Sequence, residues 1–327
     1  MAIGDEFGFA PGDFLEGKMV SCLRALGFSY VFDTTFGADL TVMEEANEFI
    51  ARIKNDGPTM FTSCCPSWVL FMEKYHKEDL SLLSSCKSPI AMQGAMIKTY
   101  FADLNDIPKE KIITVALTPC VSKKTEIAKF QDVNYVITTR ELVMMLRECD
   151  IDFANLEDQS FDFLLGKGSG AGVIFGTSGG VMEATLRTAY YMLNKEKAPE
   201  NFYNLMEVRG EKDIKEATIN MKQRSIKVAV VNKISNVIKY YNFLKRYDFV
   251  EVMACPGGCI GGGGQPLVAN NKMAEYRAER TKSLYENDNK CKVKDSYSNK
   301  EIQDAYDTYI NKNKVELYIE YKAIVNN

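Results

Sequence analysis

The stretch "MACPGGCIGGGGQP" (residues 253–266) sets two cysteines, Cys255 and Cys259, on a backbone holding six of the chain's 22 glycines. Glycine lets a backbone take positive φ and lets a bulky group come close. Such a run can also aim amide N–H groups at an anion, a sulfide or a thiolate. The plain alternative is a glycine-rich turn with two ordinary cysteines.

The other cysteines bear on that choice. Cys64 and Cys65 are adjacent in "TSCCPSW", and Cys120 stands in "LTPCVSKK". Cys22, Cys86, Cys149 and Cys291 are scattered and read as buried small hydrophobes or incidental surface thiols. The start of the sequence has neither the basic nor the apolar region of a secretory signal. A reducing, cytoplasmic setting is therefore expected, where grouped cysteines suggest metal or catalysis more than bridges. Histidine is nearly absent: His76 is the only one and falls in the polar patch "EKYHKED", read as a solvated surface side chain. Without an imidazole near the chemistry, histidine-rich zinc sites and serine or cysteine triads are excluded. A net charge of −4 argues against nucleic-acid binding. No apolar run is long enough for a membrane span.

The 327 residues are enough for two lobes. Strand and helix patterns alternate. A helix is expected over "ADLTVMEEANEFIARIKNDG", with Val42, Ala46, Phe49, Ile50 and Ile53 on one face. "MFTSCC" reads as a short strand, and "PSWVLFMEKYH" as a helix with Pro66 in its first turn. "KIITVALTPC" reads as a buried strand. "NYVITTRELVMMLREC" reads as strand then helix, and "GVIFGTSGGVMEATLRTAYYML" as strand, glycine turn and helix. Two strands flank a polar turn in "EATINMKQRSIKVAVVN". "SNVIKYYNFLKRY" is a helix, and "YDFVEVMAC" a last strand.

Three cysteine segments thus follow strands, and ligands bind outside the C-terminal ends of strands in an open α/β sheet. Cys65, Cys120, Cys255 and Cys259 would together suit one 4Fe–4S cluster. A four-thiolate zinc site is the rival, although its usual paired cysteine knuckles are missing.

Three segments, "TSCCPSW" (62–68), "TPCVSKKTE" (118–126) and "EVMACPGGCIGGGGQP" (251–266), resemble the signature motifs of the FeFe-hydrogenase catalytic domain. "FGADLTVMEEANEF", "NYVITTREL" and "SGAGVIFGTSGGVMEATLR" are also similar to that family, in its order. The resemblance covers residues 4–266 well, and more weakly extends to the family's small-subunit region over 267–320.

The resemblance implies an H-cluster: a 4Fe–4S cube joined through a cysteine sulfur to a diiron unit carrying CO, cyanide and azadithiolate. Carried over to this sequence, Cys65, Cys120, Cys255 and Cys259 would hold the cube, with Cys259 as the bridge. Lys123 would bond a cyanide, Cys64 would carry the proton, and Glu45, Ser84 and Glu48 would relay it towards solvent. Ala10, Pro11, Thr118 and Met253 would line the diiron pocket, and Glu126 would be a partner near the second motif. Read alone, Lys123-Lys124 is a solvated charge pair, and Glu44, Glu45 and Glu48 form an exposed helix face.

Two positions depart from the family's catalytic pattern, which has methionine where Thr118 stands and glutamine where Ile90 stands. Such changes beside a cluster tune potential and rate. No ferredoxin-like cysteine run precedes residue 62, so electrons are expected straight from a docked partner. Ferredoxin, or another small electron carrier, is the partner the resemblance implies, together with the maturation machinery. The expected architecture is α/β, with two lobes of mainly parallel sheet flanked by helices and the cluster between them. The catalytic domain would span 1–266, with a lobe boundary near 130–150, followed by a helical small-subunit-like segment over 267–327. The expected activity is reversible reduction of protons to H₂. The alternative is a non-catalytic H-cluster sensor or an iron–sulfur assembly protein.

Overall fold

The computed structural model describes residues 2–324. Its strands are β1 (Met60–Phe61), β2 (Val115–Thr118), β3 (Tyr135–Thr138), β4 (Ile214–Asn220), β5 (Ser225–Asn232) and β6 (Phe249–Met253). Four of them form one sheet in the order β1-β6-β5-β4, and β2 with β3 form a separate parallel pair. In the larger sheet β1, β6 and β5 run parallel, and β4 returns antiparallel to β5. This is the α/β architecture with two mainly parallel sheets. Every residue of β6 is buried, as a strand covered on both faces must be. On one face Phe249 stacks on Phe49 with ring centroids 5.0 Å apart; on the other lie Phe61, Trp68 and Tyr241.

The helices are α1 (Glu16–Ala25), α2 (Thr34–Lys54), α3 (Pro66–Tyr75), α4 (Pro89–Met96), α5 (Thr139–Glu148), α6 (Gly170–Ile174), α7 (Gly180–Asn194), α8 (Ile234–Leu244), α9 (Met273–Lys290) and α10 (Lys300–Ala305). Helix α2 packs against α4, α6 and α7. With neighbours on several sides it buries Asp39, Glu44 and Glu45 as well as its apolar stripe.

One expectation changes. "GVIF" is not a strand, because residues 170–174 are helical. A short apolar run cannot by itself separate a buried strand from a buried helix, and here it lies on α2, where Gly172 abuts the Thr35 carbonyl. The larger sheet draws on segments from both sides of residues 130–150. Strand β1 is bonded to β6, so a cut there would part β1 from its own sheet. Residues beyond 266 carry two helices and then a strap. After α9 and α10 an extended strap returns across the first half, with Leu317 and Ile319 bonded to Lys87 and Ser85 and Ile324 to Glu73. The fully buried Arg187 of α7 binds Asp288 of α9 at 2.8 Å.

Candidate metal centre

Each cysteine segment is held where the chain leaves a strand. Beyond β1, Thr62 takes the Val252 amide on its Oγ1 and the Trp68 indole N–H on its carbonyl. This fixes the first motif to β6. Pro66 then starts α3. Ser67 and Ser122 share a hydroxyl hydrogen bond of 2.7 Å, which ties the first motif to the second. Cys120 follows β2, with its amide bonded to Thr118 Oγ1 at 3.2 Å.

The third motif explains its glycines by what it touches. Cys259 N–H donates to the Gly176 carbonyl at 2.8 Å, and Ser178 N–H to the Gly257 carbonyl at 2.9 Å. Gly258 has φ +90°, and a Cβ there would stand 2.8 Å from Gly176 O. A Cβ at Gly262 would stand 2.4 Å from Pro119 O. The run was expected to pass close to an inorganic group; these contacts are with the protein's own backbone, which locks the third motif onto the second and onto the turn before α7.

The result is a cavity of about 390 Å³ lined by Cys64, Cys65, Cys120, Cys255 and Cys259. None of these is in a disulfide. Burial pushes the Cys255 thiol up to about 11, helped by Cys65 and Cys120; Cys259 is raised by burial and by the same two neighbours. Four thiols gathered at one cavity with no imidazole fit a cationic iron–sulfur cube, which takes cysteines as thiolates.

Lys123 and Cys64 complete this wall. Lys123 is buried, donates from Nζ to the Cys64 carbonyl at 3.0 Å, and pairs with Glu126 at 2.7 Å. Burial works against its charge, but Glu126 outweighs that and holds the ammonium above its ordinary value. Only Lys124 matches the solvated-pair reading; it pairs with Glu141 at the surface. Cys64 is buried among Val42, Phe175 and Met253.

Behind Cys64 the α2 carboxylates are not an exposed face. Glu45 is 1% exposed, and its Oε2 has no hydrogen-bond partner among the described residues. Its pKa is raised to about 8, by burial first and then by Glu48 and Glu251, against the opposing Ser84 hydroxyl. Ser84 Oγ donates to Glu48 Oε2 at 3.0 Å, and Glu48 Oε1 accepts from Arg52 at 2.6 Å. Cys64, Glu45, Ser84, Glu48 and Arg52 therefore form a row from the cavity outward. Glu44 accepts hydrogen bonds from Tyr306 and from Tyr318 of the strap.

Met253, Thr118 and Ile90 line the cavity. Ala10 and Pro11 do not. Ala10 is exposed, and Asp13, Phe14, Leu15 and Glu16 from the same loop line the cavity instead. His76 is half-buried against Tyr241, their ring centroids 3.7 Å apart, and does not line the cavity. Sequence reasoning passed over Arg52 and Glu251. Arg52 stands one helical turn after Glu48, a spacing that pairs side chains. Glu251 interrupts an apolar strand, which signals a buried carboxylate needing partners; it accepts from the amides of Gly179 and Met182 at the start of α7.

Two α/β sheets beside a four-thiol cavity, with a lysine and a buried carboxylate row at its wall, define a protein built to hold an iron–sulfur cluster. Residues 1–263 match the family described as iron only hydrogenase large subunit, C-terminal domain, and the chain belongs to it. It is 41% identical over 95% of its length to the NADP-reducing hydrogenase subunit HndD of Solidesulfovibrio fructosivorans, and 41% identical over 95% to iron hydrogenase 1 of Clostridium pasteurianum. It spans 55% and 56% of the lengths of these relatives. An apo FeFe-hydrogenase structure from Chlamydomonas reinhardtii superposes with a TM-score of 0.84 at 35% identity, covering 98% of this chain and 91% of that one. A weaker likeness, 28% identity over 94% of this chain and 71% of the relative, is to a probable cytosolic Fe-S cluster assembly factor of Dictyostelium discoideum. No helix among the described residues is long and apolar enough to cross a membrane.

Proposed function

We propose that the protein is an FeFe-hydrogenase interconverting protons, electrons and H₂ at an H-cluster. The observation that carries this reading is the meeting of Cys65, Cys120, Cys255 and Cys259 at one cavity, with the row from Cys64 to Arg52 leading away from it. Cys65, Cys120, Cys255 and Cys259 would hold the 4Fe–4S cube, Cys259 also bridging to a diiron unit with CO, cyanide and azadithiolate. When bound, that group supplies the metal site at which protons and electrons combine.

The chain's own residues do the rest. Cys64 holds a proton at Sγ on the cavity wall. Glu45, kept neutral by burial up to about pH 8, passes protons on through the Ser84 hydroxyl to Glu48. Arg52 fixes the outer end of this row. Lys123, steadied by Glu126 and the Cys64 carbonyl, offers a charged donor to a small anionic ligand. Thr118 and Met253 wall the pocket, and water is kept out by Phe175 and Val42. A ferredoxin or another small carrier delivers electrons, and maturation proteins deliver the diiron unit, in a cytoplasmic setting that keeps the thiols reduced.

The likeness to an assembly factor keeps one alternative: a non-catalytic H-cluster sensor or iron–sulfur assembly protein. Cys64, Lys123 and Glu126 converging on one wall favour the enzyme, since a cube alone needs none of them. Infrared spectroscopy of the matured protein decides. Bands of terminal CO and cyanide, with H₂ evolution from reduced methyl viologen, are expected; a cube without such bands would leave assembly, and bands without turnover a sensor.

A further inference from the structure

Helix α2 runs antiparallel to β6, and two contacts fix how they meet. Phe49 stacks on Phe249 with ring centroids 5.0 Å apart. Nearer the cluster cavity, Val42 and Met253 share one packing cluster. Glu45 stands on α2 between Val42 and Phe49, at the three- and four-residue spacing that keeps to one helix face. Glu251 stands on β6 midway between Phe249 and Met253, at the two-residue spacing that keeps to one strand face. From the aromatic contact, four helical residues advance about 6 Å and two strand residues about 6.6 Å. Glu45 and Glu251 therefore face each other across the helix–sheet interface. They are 1% and 0% exposed.

The two carboxyls are held differently. Glu251 Oε1 accepts from Gly179 N at 2.6 Å, and its Oε2 from Met182 N at 2.7 Å. Both amides lie at the start of α7, where the helix dipole favours an anion. Lys215 of β4 is in register with Val230 of β5, and Val230 with Glu251, so all three share one face of the sheet. Glu45 Oε2, by contrast, is buried with no partner among the described residues. Burial raises both acids, and the α7 amides and Lys215 oppose this at Glu251. The other groups facing the pair are Glu48 and Arg52 of α2, the Ser84 hydroxyl, the Cys64 and Cys86 thiols, and Tyr285 of α9. Capping α7 does not explain a carboxylate here, since a serine or an asparagine caps as well. Two buried carboxyls face to face are unfavourable unless the pair keeps a proton.

We propose that Glu251 is a positioning residue of the proton row: held as the anion by α7 and Lys215, it fixes one shared proton on Glu45, behind Cys64. It acts through Glu45 alone. The pair carries one negative charge while Glu45 holds its proton and two after the proton leaves, and Lys215 offsets part of the second. The service of this pair in proton traffic rests on the proposed function; the pair itself does not.

Infrared difference spectra of the full chain, before the diiron unit is inserted, read the carboxylic-acid C=O band across about pH 6–9.5. They need no H₂, so the test stands apart from that function. In the unaltered protein one band is expected to vanish with a midpoint at about 8, and Glu45→Gln should remove it, which assigns it. Glu251→Gln is expected to lower the midpoint by at least about one pH unit, tenfold in proton affinity. Lys215→Met is expected to raise it by about half a unit. Loosened packing alone would not give shifts of opposite sign. In the matured protein the alkaline limb of H₂ evolution should follow the band in both variants. A midpoint unmoved in Glu251→Gln, shifts of one sign in both variants, or a band that survives Glu45→Gln would overturn the pair. A band that moves while the alkaline limb stays would overturn its place in the row. If Glu251→Gln does not fold, the direction of the shift in Lys215→Met decides.

Discussion

Gly258 lies against Gly176 so closely that a Cβ on it would stand 2.8 Å from the Gly176 carbonyl oxygen. This contact joins the loop carrying Cys255 and Cys259 to the turn before α7. Gly258 also has φ +90° and ψ −152°, a conformation open to glycine and strained for any other residue. Gly258→Ala is expected to cost on the order of 2–3 kcal/mol in urea unfolding and to lower iron bound per chain after anaerobic reconstitution. Full iron loading in the variant would show that the loop tolerates displacement.

The four cavity thiols are expected to act as one set. Alanine at Cys65, Cys120, Cys255 or Cys259 leaves three ligands, and each single variant should lose the ultraviolet–visible and electron-paramagnetic signature of an intact cube. Iron and sulfide counts after reconstitution check this. An unchanged cube in any one variant removes that cysteine from the set.

Cys64 is the thiol that the cube does not need. Cys64→Ala is expected to keep the normal iron content and CO bands of the matured protein while losing about 10²-fold or more in H₂ evolution, the scale of a lost proton-transfer group. Glu48→Gln should lose less, because water can bypass one member of a row. Hydrogen evolution per occupied cluster is the readout, and unaltered turnover in Cys64→Ala would send protons by another path.

Glu45 gives a pH dependence. Its pKa is raised by burial from 4.5 to about 8, so between these values the folded protein holds a proton that the unfolded chain has released. Stability contributed at acid pH is therefore lost as pH climbs from about 4.5 to about 8. Glu45→Gln should flatten that decline, by an amount on the order of 3 kcal/mol between pH 5 and pH 8 in urea unfolding. A parallel decline in both proteins would place the titration elsewhere.

Thr118 and Ile90 both border the cavity. The Thr118 hydroxyl is engaged by the amide of Cys120. Thr118→Met frees that amide, and Ile90→Gln adds a donor at the wall. A shift of infrared bands is expected in each matured variant; bands that stay in place in both would mean that neither side chain senses the diiron unit.

The four thiols that meet at the cavity were legible in the chain itself, because their neighbours in three short motifs are distinctive. Helix α2, the β4–β5 hairpin and the strand before Cys255 were legible too, since each carries its own period or turn. The strand assigned to "GVIF" failed because a four-residue run has no period long enough to read. What only the tertiary structure decided was burial and register. Glu45 and Lys123 look solvated in sequence, and become buried because α2 and the second motif are enclosed by elements far along the chain. Ala10 and Pro11 sit in a matching stretch, yet the loop presents Asp13–Glu16 to the cavity instead. Local residue types determine which atoms can bind iron; which of them lose water, and which carboxylate keeps its proton, depends on packing between segments more than 200 residues apart, such as Glu45 beside Glu251, and no local pattern encodes that.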